Sequence, residues 1–146
     1  MNWRLQSACS LNVSTVGSEI TIKIRLDANR LDRLCVGLCL LKEGLIESLD
    51  LLATERSSFM RLQRTKGATV LQMAGGKLVL SLSETEFERW LHFILRTIRD
   101  GVAEVDHFDV DAAMEGQPQQ TANVVVAFPV SLPPVSSEEA RRRLGL

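Results

Sequence analysis

The sequence predicts an α+β fold, an antiparallel sheet packed against one or two amphipathic helices. Three observations predict it. Ile20, Ile22, Ile24 and Leu26 alternate with Glu19, Thr21, Lys23 and Arg25, the period-two pattern of a strand with one packed and one wetted face. Residues 59–82 hold three short apolar runs separated by glycine-bearing turns, which reads as a central meander. Ser83-Glu84-Thr85-Glu86 forms a capping box ahead of Phe87, Trp90, Leu91, Ile94, Leu95 and Ile98, apolar residues at helical spacing.

The remaining elements follow in order. Trp3, Leu5, Leu11 and Val13 alternate in part, predicting an irregular first strand bulged near Ala8 and Cys9. Val16-Gly17-Ser18 is a turn that folds this strand onto the next as an N-terminal hairpin. After Asp27 or Asn29, either of which can cap a helix, Leu31, Leu34, Cys35, Leu38, Leu41, Leu45, Leu49 and Leu52 recur at spacings of three and four. That stripe fits one helix, two helices broken near Glu43-Gly44, or a helix plus a strand. A strand over 34–41 is the alternative for its first half. Asp100-Gly101 ends the capped helix. Residues 102–111 predict a kinked strand with Phe108 out of phase, and 113–121 a loop. Asn123 to Val130 is a continuous apolar run that predicts a covered strand. Residues 1–134 then form a single domain, and 135–146 a tail or a short helix capped by Ser136 and Glu139. No internal repeat is legible in the sequence.

Bulk properties exclude several functions. A chain of 146 residues with 45% hydrophobic and 24% charged residues can bury a core unaided by disulfide or metal. Seventeen basic residues face eighteen acidic ones, and a nucleic-acid binder usually carries a basic excess. No nucleic-acid partner is expected. The longest apolar-rich stretch, Leu34 to Leu41, is too short to span a bilayer, so no membrane association is expected either. No apolar leader precedes a small-residue cleavage site. Three cysteines, Cys9, Cys35 and Cys39, do not make a disulfide framework. These features predict a cytoplasmic protein.

The sharpest candidate site is Asp106-His107-Phe108-Asp109-Val110-Asp111, with Glu104 just before it. On a strand, His107, Asp109 and Asp111 share one face and Asp106 sits opposite. An imidazole beside two carboxylates can hold a divalent metal, and the same carboxylates can keep an edge strand soluble. Cys35 and Cys39 share a helical face within the leucine stripe, where cysteine behaves as a small hydrophobe. Gly75-Gly76-Lys77 precedes a strand, unlike a phosphate loop, which opens a helix. His92 falls between Leu91 and Phe93, off the central stripe. Arg56, Arg61, Arg64 and Lys66 make a basic stretch with few aromatics nearby for base stacking. Arg141 to Arg143 close the chain with a further basic run.

No cofactor is expected. The first functional reading is a non-catalytic cytosolic protein that binds a protein partner. In it Glu104, Asp106, His107, Asp109 and Asp111 form an acidic patch for a basic surface. Small bacterial accessory proteins, immunity proteins among them, share this size and texture. The second is a metal-assisted hydrolase built on His107, Asp109 and Asp111. The third is a homo-oligomeric structural subunit.

Overall fold

A computed structural model describes residues 2–54, 58–74, 77–103, 105–117, 119–129 and 137–145. Strand β1 (Asn2–Val16) turns at Gly17, whose φ of 62° suits a residue without Cβ, into β2 (Glu19–Leu26). The two pair antiparallel from Val16–Glu19 to Cys9–Leu26. A short 3-10 turn, capped by the Asp27 carboxylate on the Asn29 amide, leads into helix α1 (Leu31–Lys42). Gly44, at φ 76°, ends the helix, and β3 (Ser48–Ala53) follows. Then come β4 (Phe59–Arg64), β5 (Val70–Ala74), β6 (Lys77–Leu82), helix α2 (Glu84–Asp100), β7 (His107–Met114), β8 (Thr121–Ala127) and helix α3 (Ser137–Arg143).

The strands do not form an open antiparallel sheet. They close into a barrel in the order β1-β2-β8-β7-β5-β6-β4-β3, with β3 returning to β1. This corrects the expected α+β architecture. Antiparallel pairs β1–β2, β3–β4, β5–β6 and β7–β8 alternate around the barrel with parallel pairs β2–β8, β7–β5, β6–β4 and β3–β1. The expected meander is a different arrangement too, because β4 pairs with β6 rather than with β5. A period of two reveals which face of a strand is buried and nothing about its neighbour, so an open and a closed sheet write the same pattern.

Local signals fared better. Ser83 caps α2 by accepting the Glu86 amide at 3.3 Å, and Gly101 ends it at φ 76°. The first strand is irregular between Leu5 and Cys9, with Ser7 at φ 50°. The leucine stripe over 31–52 resolves into a helix and then a strand, with the break at Gly44. Residues 34–41 are helical. Strand β7 starts at His107 and runs to Met114, so Phe108 is in phase with Val110, Ala112 and Met114, all buried. Ser136, Glu104, Arg56, Gly75 and Gly76 lie outside the described residues, so neither the second capping box nor the glycine pair can be placed.

The eight strands with α1 and α2 form two ββαββ units of the same topology. Strands β1, β2, β3 and β4 with α1 match β5, β6, β7 and β8 with α2, and each pairing in one half has its counterpart in the other. Helical positions correspond at a shift of 56 residues: Leu31 with Phe87, Leu34 with Trp90, Leu38 with Ile94 and Leu41 with Thr97, all buried. After the helices the shift is 59: Leu49 with Phe108, Asp50 with Asp109, Leu51 with Val110 and Ala53 with Ala112. Even a main-chain bond recurs. Thr54 N–H donates to Cys9 O at 2.9 Å, and Ala113 N–H donates to Thr69 O at 3.2 Å. The residue types differ at most of these positions, which hides the repeat from the eye.

One hydrophobic cluster joins the inward faces of the strands to the buried stripes of α1 and α2. The two helices pack on each other, α1 also against β1, β3 and β4, and α2 against β6. Gly37 brings α1 close to β3, since a Cβ there would stand 3.0 Å from the Leu49 methyls. Around Phe108 an aromatic group gathers: Trp90 edge-on at 5.6 Å, Phe93 stacked at 5.0 Å and Phe128 tilted at 5.8 Å. No described helix is long and apolar enough to cross a membrane.

Candidate functional site: the outer face of strand β7

Pleating sends alternate residues of β7 to opposite sides. Phe108, Val110 and Ala112 enter the core, so His107, Asp109 and Asp111 share the outer face, and all three are exposed. Asp106, also exposed, immediately precedes the strand. His107 and Asp109 are about half exposed, with Nε2 and Oδ2 3.9 Å apart. That is a loose, solvated contact. No described residue offers Asp106 or Asp111 an ion pair. The structure thus places three of the five expected site residues on one face, with Asp106 exposed just ahead of the strand, and the fifth, Glu104, is outside the described residues.

The row does not build a metal centre. Residues two apart on one strand stand roughly 6–7 Å apart along it, and no group of three His, Cys, Asp or Glu among the described residues converges to hold an ion. The neighbouring strands supply the opposite charge instead. Asp109 pairs across β8 with Val125, which pairs with Lys23 of β2; His107 pairs with Ala127, which pairs with Arg25. An acidic row on β7 and a basic row on β2, both exposed, therefore flank β8, two strand spacings of about 4.8 Å apart. Sequence reasoning missed the basic row, because nothing in the primary order says that β2 lies beside β8.

Among the described residues, the other edge of β7 has little strand pairing. β5 pairs with it only at Val70–Ala113 and Leu71–Met114. Arg89 of α2 reaches across instead, donating from Nη1 to the Asp109 carbonyl oxygen at 2.6 Å while its guanidinium lies 5.3 Å from the Phe108 ring centroid.

The basic stretch of 56–66 is divided by the fold. Arg61 makes a two-pronged bond with Asp50, at 2.8 and 3.1 Å. Arg64 donates to the Lys42 carbonyl at 3.3 Å and, with Lys42 and Lys66, lines a cleft of about 730 Å³ beside the start of α2. Glu43 and Glu84 share that lining, so its charge is mixed. Cys35 and Cys9 are buried and Cys39 is exposed, which corrects the placing of Cys39 in the core stripe. His92 is exposed against Phe93.

No protein-family model, curated protein or solved structure matches the chain.

Proposed function

We propose that the chain is a non-catalytic binding protein whose outer β7 row receives a basic surface of a protein partner. The observation behind this is the row itself: His107, Asp109 and Asp111 stand outward together with Asp106 exposed just before them, and no cation is drawn onto Asp106 or Asp111 by the described residues. Exposed like charges placed side by side repel modestly. A cationic partner relieves that repulsion and gains from steering during encounter. The basic row of Lys23 and Arg25 across β8 makes the face a dipole, which fixes the orientation of whatever docks. A cytoplasmic setting suits cysteines that form no disulfide.

The test uses the full chain and a partner identified by co-purification. Changing Asp109 and Asp111 together to Asn slows association about tenfold at low salt and leaves the unfolding midpoint in place. A partner that binds both forms at equal rates overturns the reading.

A second reading is favoured by the same dipolar face. Rows of opposite sign can satisfy each other in a two-fold dimer. Light scattering separates the two: a monomer at all concentrations fits partner binding, and a dimer that salt or the double substitution dissolves fits self-association.

A further inference from the structure

The internal repeat supplies a template for β7. In the first half, β3 is paired along its length: Asn2, Trp3, Arg4 and Leu5 of β1 run parallel beside Ser48, Leu49, Asp50 and Leu51. The equivalent residues of the second half are His107, Phe108, Asp109 and Val110. Beside them the second half has no strand to match Asn2–Leu5: counted back from Thr69 those positions fall on Leu62–Thr65, of which Leu62–Arg64 are already committed to β4 between β3 and β6, while residues 65–69 form no strand and Lys66 and Gly67 line the cleft at the start of α2. The two halves match up to the bond from Ala113 to Thr69, the counterpart of Thr54 to Cys9, and part company there.

The exposed edge has a defined bonding pattern. Ala113 points its N–H toward β5, and Glu115 does the same toward Leu71 O. In a pleated strand every second residue points its backbone groups the same way, so His107, Asp109 and Asp111 turn theirs to this side. The Arg89 bond to Asp109 O confirms the direction. Among the described residues, then, one guanidinium bonds to this stretch of the edge where a strand pairs in the other half.

We propose that β7 receives an extended segment of a protein partner, added parallel to it along His107–Val110 where the first half holds Asn2–Leu5. This rests on the reading of the β7 row as a partner site and names what docks there. The first half also defines the chemistry. Trp3 and Leu5 lie opposite the inward Leu49 and Leu51, while Arg4 lies opposite Asp50. Phe108, Asp109 and Val110 repeat that apolar-acidic-apolar order, so the segment they accept alternates apolar and basic residues. Main-chain bonds give such an addition its affinity, and alternate side chains give it specificity. Arg89 holds the edge in the free protein and gives way when the segment enters.

The probe is an eight-residue peptide of alternating leucine and arginine, titrated into the full chain with amide shifts of His107, Asp109 and Asp111 as readout. Two N-methylated forms are compared, one methylated at every leucine and one at every arginine. A strand uses only alternate amides on one edge, so one form loses about tenfold or more in affinity while the other stays within about threefold. Asp109→Asn with Asp111→Asn weakens the parent peptide severalfold, and Arg89→Ala strengthens it. A matching leucine–glutamate peptide fails to bind.

Binding that needs the aspartates but ignores both methylations overturns strand addition and leaves the acidic row standing as a partner surface. Binding indifferent to the aspartates and to methylation overturns both. No binding at millimolar peptide overturns strand addition, as does a concentration-dependent dimer of the free chain with these amides protected, which makes a second copy the occupant.

Discussion

Asp50 and Asp109 occupy the same position in the two halves of the barrel, yet the Asp50 side chain is 3% exposed and that of Asp109 is 51% exposed. Asp50 accepts two bonds from Arg61, and this contact holds the Arg61 guanidinium more firmly protonated than usual. In two units of the same topology, one aspartate is thus buried in an ion pair and its counterpart is solvated.

Asp50→Asn is therefore expected to destabilise and Asp109→Asn is not. Removing one partner of a fully buried pair costs about 3–5 kcal/mol. Arg61 keeps 26% exposure, so a loss of about 2–3 kcal/mol is expected by urea unfolding. Asp109→Asn stays within about 0.5 kcal/mol, as solvated surface changes do.

Trp90 is fully buried and meets Phe108 edge-on. Truncation to Ala costs about 3–5 kcal/mol. Its indole Nε1 has no hydrogen-bond partner among the described residues, so Trp90→Phe forfeits packing alone and costs clearly less. Equal losses from the two substitutions would contradict ring packing as what Trp90 contributes.

The thiols separate by exposure. Burial first, and the neighbouring Cys39 second, push the Cys35 thiol up to about 11. Iodoacetamide at pH 8 is expected to label Cys39 in the folded chain well ahead of Cys35 and Cys9, read by peptide mass. The raised value also links to stability. A thiol held protonated in the folded state contributes fully below the ordinary value of 9.0 and loses that contribution as pH climbs from there toward about 11, because the unfolded chain deprotonates first. Cys35→Ser flattens the fall in unfolding free energy over that window. The chain has no tyrosine to titrate alongside it.

Much of the local structure was legible because its signals are local. Ser83, Gly101 and Gly17 act within a few residues, and the alternation over 19–26 needs only a face to bury. The barrel was not, because closure is a matter of which strand lies beside which. Parallel neighbours such as β2 and β8 are roughly 100 residues apart in the chain. The repeated topology hid for a related reason: Leu34 and Trp90, or Leu41 and Thr97, share a place and a burial but not a chemistry. The grouping of His107, Asp109 and Asp111 was legible from pleating alone. The sparsely covered edge beside them was not, since it exists only by comparison with β1 on β3.

Amide hydrogen exchange of the free protein tests that comparison most directly. The account predicts slow exchange at the β3 amides of Ser48 to Leu51 that face β1, and exchange faster by about tenfold or more at His107, Asp109 and Asp111, whose amides face the thinly covered edge of β7. Equal, strong protection of the two sets would contradict it, because β7 would then already be paired along the length reserved for a partner.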